Sequence, residues 1–102
     1  MRKLRVGDKV GNFYGVSELC EALGISISYL DKLEERNIFP QANFRYRKAN
    51  WVKAGNRIYS DELVKKLATI VPNFKQGVKI DAEAIRLIAL AFQEEKIMYS
   101  KN

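Results

Sequence analysis

The most constraining feature of the sequence is a pair of short amphipathic patterns separated by Gly24. In the first, residues 16–23, apolar side chains recur at intervals of three and four: Val16, Leu19, Cys20 and Leu23. Gly24 suits the left-handed residue that ends many helices, and Ser26 is a good N-cap for the next helix. The apolar pattern continues through Ile27, Leu30 and Leu33, and Pro40 cannot extend it. Two helices this close together predict a helix-turn-helix.

A β-hairpin is predicted over residues 41–59. The segment FRYRK (44–48) alternates aromatic and basic residues, and residues 54–56, Ala-Gly-Asn, suit a turn. Ser60 then caps a third helix, whose first turn holds Asp61 and Glu62, where the helix dipole favours acidic side chains. The apolar stripe of this helix is Leu63, Leu67 and Ile70, and Pro72 ends it.

Three segments follow from these patterns. Residues 1–13 are predicted to be a basic N-terminal arm, either extended or a strand, and residues 14–71 the winged helix-turn-helix domain. Residues 72–102 contain a connector and a helix over 82–98, capped by Asp81. Only Arg86 is polar within residues 84–92, so this helix should be covered on more than one side. The predicted fold class is mainly α with a small β-hairpin wing, plus this additional C-terminal helix.

Basic residues are concentrated in the predicted hairpin. The chain has 102 residues and a net charge of +6, which favours an anionic partner such as double-stranded DNA. Residues 41–59 contain no acidic residue and five basic ones: Arg45, Arg47, Lys48, Lys53 and Arg57. These side chains, with the hydroxyl of Tyr59, are predicted to hold DNA phosphates. Ser28, Tyr29 and Lys32 lie on the helical face away from Leu30 and Leu33, so they are predicted to face the major groove.

Several classes of function are disfavoured by composition. Cys20 is the only cysteine and is predicted to be a buried core residue, and histidine is absent, so neither a disulfide nor a zinc cluster is expected. We see no nucleophile–base pair and no phosphate-binding glycine loop, so we expect neither an enzyme nor a bound cofactor. No apolar run reaches the length of a membrane span, and no signal peptide is indicated. We expect a cytoplasmic protein of a bacterial or phage-infected cell.

The ordered set of residues from 14 to about 70 resembles the DNA-binding domain of the mercury-resistance regulator (MerR) family. The first part of the resemblance consists of Tyr14, Glu18-Leu19, Gly24-Ile25-Ser26, Leu30, Glu34 and Pro40. The second is the run Arg57-Ile58-Tyr59-Ser60-Asp61-Glu62-Leu63. The resemblance implies a winged helix-turn-helix that binds double-stranded DNA.

The sequence also departs from the family pattern. The family commonly has arginine at the positions of Ser28 and Asp31 and aromatic residues at those of Lys32 and Leu33. Asp31 is therefore expected to place a negative charge near DNA, although a carboxylate can accept a hydrogen bond from cytosine. The likeness does not include an effector domain, so no small-molecule effector is expected.

Two classes of function remain open. The first is a small transcriptional regulator or an architectural DNA-binding protein, with either sequence-specific or sequence-tolerant binding. The second is a phage-type protein-interaction factor, such as an excisionase, a terminase small subunit or a polymerase-docking protein, that uses the winged helix for docking. A steep dependence of DNA binding on salt would distinguish the first from the second.

The C-terminal helix has two apolar stripes. Ile85, Ile88 and Phe92 can seal the domain core, whereas the second stripe contains Ala84, Leu87, Ala91 and Met98, with Leu90 at its edge. Exposed apolar patches of several hundred Å² usually mark interfaces. We therefore predict self-association, as a homodimer or a head-to-tail oligomer, through Leu87, Leu90, Ala91 and Met98. The alternative is that the helix folds back and only completes the core.

Overall fold

The computed structural model describes residues 1–6, 9–46, 56–70 and 81–99, and these contain four helices and a four-stranded antiparallel sheet. In chain order the elements are β1 (Arg2–Val6), β2 (Lys9–Tyr14), α1 (Val16–Leu23), α2 (Ile27–Glu35), β3 (Phe44–Tyr46), β4 (Asn56–Ser60), α3 (Asp61–Ile70) and α4 (Ala82–Tyr99). The predicted helices are all confirmed, with bounds within one or two residues.

The ends of the helices follow the local signals in the sequence. Gly24 ends α1 with a φ of 72°. This left-handed conformation is easier for glycine than for any residue with a Cβ atom. The Ser26 hydroxyl accepts a hydrogen bond from the backbone N–H of Tyr29 at 3.0 Å and starts α2. Ser60 and Asp81 cap α3 and α4 in the same way, at 3.1 and 2.8 Å. These short-range signals explain why the helix positions could be predicted.

The sheet is larger than the predicted hairpin. Its strand order is β1-β2-β4-β3, so β3 and β4 form the expected hairpin and β2 continues the sheet on the other side of β4. Of the two forms predicted for residues 1–13, extended or a strand, the structure has strands, because most of these residues form β1 and β2, in which Arg2 pairs with Phe13 and Val6 with Lys9. Leu4 and Val6 share one face of β1 and pack beside the buried Phe13. Leu4 and Val6 alternate with the basic residues Lys3 and Arg5, and this period of two is typical of a strand with one packed face.

The two faces of the sheet pack against different parts of the chain. Tyr59 of β4 lies in the main core, which includes side chains from all four helices. The opposite face carries Phe13 and Ile58, which form a second cluster with Tyr99 from the end of α4. Gly11 lies directly under Tyr99, and a Cβ atom at residue 11 would overlap the tyrosine hydroxyl. Helix α4 thus contributes to both clusters and completes the core.

A buried carboxylate fastens α4 to the start of α3. Glu95 is only 3% exposed, and its two oxygens accept hydrogen bonds from the backbone N–H of Ser60 at 2.7 Å and from the Asn43 side chain at 2.9 Å. Asn43 also donates to the Phe92 carbonyl at 2.6 Å.

Within the described parts of the chain, no helix has the length and apolarity needed to cross a membrane.

Candidate nucleic-acid interface

Helix α2 has one face in the core and one face in solvent. Leu30 and Leu33 are buried, whereas Ser28 and Lys32 are exposed, as the helical spacing predicted. Tyr29 differs from them, because its side chain is half-buried and packs against the main core. The face that α2 offers to a partner is therefore built mainly from Ser28 and Lys32, with only part of the Tyr29 ring accessible.

An ion pair joins this helix to the neighbouring hairpin. The Arg57 guanidinium, on β4, lies 2.8 Å from a carboxylate oxygen of Glu34 and 3.3 Å from one of Asp31. The Arg57 side chain is 19% exposed. Although burial lowers the pKa of Arg57, Tyr59 and the two carboxylates raise it, and the pKa is raised overall. Asp31 is therefore a partner of Arg57 and not an uncompensated charge on the outer face of α2.

The predicted phosphate-binding residues of the hairpin have different surroundings. Arg45 and Arg57 are direct neighbours across β3 and β4, on the same face of the sheet. Arg45 is exposed, whereas Arg57 is half-buried. Arg47, Lys48 and Lys53, the other three predicted phosphate ligands, lie outside the described residues.

The prediction that Tyr59 contacts DNA does not agree with its position. Its side chain is fully buried, at 0% exposure, in the main core, where it meets Phe92 edge-to-face with ring centroids 6.3 Å apart. The Tyr59 hydroxyl has no hydrogen-bond partner among the described residues, and burial raises its pKa. The cause is tertiary: the helices cover the sheet face at residue 59 but cover Arg57, two residues earlier, only in part.

A groove runs between the start of α1 and the β3–β4 hairpin. Its volume is about 410 Å³, and its walls include Ser17, Glu18, Arg45, Asn56 and Arg57. Two arginines make one wall basic. Glu18, however, already accepts a hydrogen bond from the Gly15 backbone N–H at 3.0 Å and caps α1. The basic wall of the groove is therefore made by Arg45 and Arg57, while the terminus of α1 is occupied by a carboxylate.

Basic side chains in the described part of the chain differ in their surroundings. Arg57, Lys65, Lys66 and Arg86 form ion pairs with acidic residues. Arg2 and Lys9 lie over the rings of Tyr46 and Tyr99, at 5.2 and 5.8 Å from the ring centroids. Lys32 of α2, Arg36 just after it, and Lys3 and Arg5 of β1 are exposed and have no acidic partner among the described residues. Arg36, Lys3 and Arg5 were not among the predicted contact residues. Their basic character was visible in the sequence, but their lack of partners was not.

Three of the four residues predicted to mediate self-association, Leu87, Leu90 and Ala91, line a second groove, and Met98 does not. This groove, of about 330 Å³, lies between α3 and α4 and is lined by Ile70, Leu87, Leu90 and Ala91, with Lys65, Lys66, Thr69 and Glu94 also at its walls. Leu90 is 45% exposed and Met98 38%, whereas Leu87 is half-buried. Ala91 is buried in the main core, so it can form only the floor of the groove and not an exposed contact. Its small side chain fits the close approach of α3 and α4.

Two further observations bear on the chemistry and identity of the site. Among the described residues, no group of three or more His, Cys, Asp or Glu side chains could hold a metal ion. Comparison of the chain with protein-family models, with curated proteins and with solved structures finds no match.

Proposed function

We propose that this protein binds double-stranded DNA, with α2 as the recognition helix and the β3–β4 hairpin as a wing. In this interpretation α1, the three-residue turn and α2 form the helix-turn-helix, and the domain is a winged helix similar to that of the MerR family. The protein acts as a small transcriptional regulator or an architectural DNA-binding protein.

The observation that carries this proposal is the ion pair between the hairpin and α2. Arg57 connects β4 to Asp31 and Glu34, so an ion pair links the hairpin to the helix. The outer face of α2 stays open beside that connection, with Lys32 exposed. A helix and a hairpin held rigidly side by side can contact a groove and the adjacent phosphates together, and little ordering entropy is lost on binding.

The roles of the side chains differ. Lys32 and Arg36, on and next to α2, are cations without an acidic partner among the described residues. They contact phosphates, and these contacts position the helix without reading sequence. Ser28 and the accessible part of Tyr29 are the candidates for contacts with base edges. Arg45 faces the groove beside α1 and contributes to the wing.

The test is a measurement of duplex binding by fluorescence anisotropy over a range of salt concentrations. Each phosphate contact that is lost should reduce the slope of log K against log salt by about 0.9. We expect Lys32→Gln combined with Arg36→Gln to lower this slope by about 2 and to weaken binding to specific and random duplexes alike. The matched control is Lys65→Gln with Lys66→Gln, which removes the same charge from side chains already paired with acids. If the wild-type protein binds no duplex at low salt, the proposal is wrong.

The alternative is a protein-docking factor of phage type, which would use the same exposed face of α2. It is favoured by the acidic residues of α2, because Glu35 is exposed beside the basic ones. Binding to a protein partner, with a shallow salt dependence and no affinity for duplex DNA, would support this alternative.

Self-association through the groove between α3 and α4 is part of the same proposal, because two copies would present two recognition helices to DNA. In an antiparallel pairing of α4 centred on Leu90, Arg86 of one copy lies opposite Glu94 of the other, since each is four residues from Leu90. Leu87 and Met98 flank that centre. The pairing is therefore compatible in both apolar contact and charge.

Analytical ultracentrifugation tests this pairing. Leu90→Glu should shift a dimer towards monomer, because it places a charge at the centre of the apolar contact. Ile27→Glu is the matched control, since Ile27 on α2 is exposed to nearly the same extent, 44% against 45%. A wild-type protein that stays monomeric at high micromolar concentration, free and on DNA, would contradict the pairing.

A further inference from the structure

The hairpin formed by β1 and β2 has two different faces. Leu4, Val6 and Phe13 point to one side, where they pack in the cluster with Tyr99. The other side carries Lys3, Arg5, Val10 and Asn12, and all four are exposed. The packed face accounts for the position of the hairpin in the fold. The solvent face has no such structural role among the described residues.

The hairpin is held firmly in place. The Phe13 and Tyr99 rings lie with centroids 5.1 Å apart, and Tyr99 occupies the space above Gly11. The Tyr99 hydroxyl also donates a hydrogen bond to Glu62 of α3 at 3.1 Å. Lys3 and Arg5 therefore project from a backbone fixed by packing, and only their side chains must be ordered when they bind a ligand.

The charges on this face are not neutralised within the described part of the chain. Lys3 and Arg5 have no acidic partner there, in contrast to Arg57, Lys65 and Lys66. Lys3 and Arg5 are two residues apart on one strand, hence about 7 Å, so each can contact a different phosphate. Asn12, directly opposite Lys3, adds a neutral hydrogen-bond donor.

We infer that the β1–β2 hairpin is a second contact for the DNA phosphate backbone, separate from α2 and the β3–β4 wing; this inference rests on the proposed DNA-binding function. The strand register places Lys9, at the start of β2, and Asn56, at the start of β4, at opposite ends of the sheet, because β2 and β4 are antiparallel. Eight residue steps, or about 25 Å along the strands, separate these two residues. The hairpin therefore either extends the contact along one duplex or holds a second duplex.

Another explanation for these cations is protection of an edge strand. β1 is at the edge of the sheet, and lysine or arginine on an edge opposes pairing with another chain. That explanation requires charge at β1 but no affinity for DNA. DNA binding separates the two explanations, because protection of an edge predicts no change of salt slope or affinity when Lys3 and Arg5 are replaced.

The variant is Lys3→Gln with Arg5→Gln, which keeps long polar side chains on the strand. Its control is Lys65→Gln with Lys66→Gln, with the same change in net charge. Binding of each protein to a short labelled duplex is measured over a range of salt concentrations, and thermal unfolding verifies that both variants fold. We expect the slope of log K against log salt to fall by about 1.8 in the β1 variant and to stay unchanged in the control. At 0.1 M salt, each lost contact should weaken binding by up to roughly eightfold.

A second arm determines which duplex is contacted. Two duplexes carrying a donor and an acceptor fluorophore are mixed with the protein, and energy transfer reports bridging. If the β1 variant binds a single duplex more weakly at low occupancy, the hairpin contacts the same duplex as α2. If the variant loses only the energy transfer, the hairpin contacts a second duplex. Either outcome supports the inference. Unchanged salt slope, affinity and energy transfer would overturn it, even if the variant aggregates. The proposed function itself fails only if the wild-type protein does not bind DNA.

Discussion

Replacement of Glu95 should destabilise the fold more than any other single change to a charged residue described above. Both oxygens of this buried carboxylate accept hydrogen bonds, from the Ser60 backbone and from Asn43. Ser60 is itself fully buried and its hydroxyl caps α3, so water cannot replace the lost acceptor without entering the core. Glu95 therefore supplies the hydrogen-bond acceptor for the buried backbone N–H of Ser60.

The magnitude follows from what each substitution leaves behind. In Glu95→Ala, the unsatisfied N–H of Ser60 costs about 1–3 kcal/mol, and the lost side-chain packing adds about 1–2 kcal/mol. The amide of Asn43 keeps its bond to the Phe92 carbonyl and adds less. The expected loss is about 2–5 kcal/mol. Glu95→Gln should cost only about 1–2 kcal/mol, because its carbonyl can still accept from Ser60 while its NH₂ group faces the Asn43 donor.

The assay is equilibrium urea unfolding monitored by circular dichroism, with the free energy of unfolding extrapolated to water. Glu94→Ala is the control, because Glu94 is the adjacent residue on α4 but its side chain is exposed and pairs with Lys66 at the surface. It should change the free energy of unfolding by less than about 1 kcal/mol. A loss below about 1 kcal/mol in Glu95→Ala would refute the reasoning, as would equal effects at the two positions.

Three other predictions concern stability. Tyr59→Phe removes a buried hydroxyl without a described partner, so it should leave DNA binding unchanged and keep or raise the thermal stability, by up to about 1–2 kcal/mol; a clear loss would reveal a bond to this hydroxyl. Burial and a hydrogen bond to a glutamate raise the pKa of Tyr99 to about 12, above about 10 for an unfolded tyrosine. The folded state holds this proton more tightly, so stability should be full below pH 10 and fall by on the order of 1–3 kcal/mol between pH 10 and 12. Tyr99→Phe should reduce that fall in a pH series of urea melts, and an identical fall would contradict the assignment. Glu34→Ala should lower the free energy of unfolding by about 1–2 kcal/mol, because the Glu34 side chain is only 11% exposed. Asp31→Ala should lower it by less than about 1 kcal/mol, because the Asp31 side chain is 57% exposed. The reverse order in thermal unfolding would contradict the roles given to the two partners of Arg57.

Features governed by neighbouring residues could be predicted from the sequence. Gly24, Ser26, Ser60 and Asp81 act on groups within a few residues of themselves, so their capping roles were readable without a fold. The same is true of the β3–β4 pairing, in which residues 44–46 and 56–58 are close in sequence.

Features governed by distant residues could not be predicted in this way. Tyr59 and Arg57 share a sheet face, and only the packing of the helices decides that one is covered and the other is not. The burial of Ala91 depends in the same way on how α4 approaches α3. The pairing of β1 with β2 and their place in the sheet were not predicted, because Leu4 and Val6 stand among basic residues and the cluster that they pack against includes Tyr99, more than ninety positions away.

The ion pair with Arg57 compensates the negative charge of Asp31 on α2. An isolated aspartate on a recognition helix would repel DNA, but Asp31 lies 3.3 Å from a guanidinium that Glu34 also holds. If Arg57 left to bind a phosphate, both carboxylates would face the DNA without a counter-charge, which would cost more than one phosphate contact contributes. Arg57 is therefore better understood as a strut between the hairpin and α2 than as a phosphate ligand. Under the proposed function, DNA affinity would come from cations without acidic partners, which within the described residues include Lys32 and Arg36 on or next to α2 and Lys3 and Arg5 on β1.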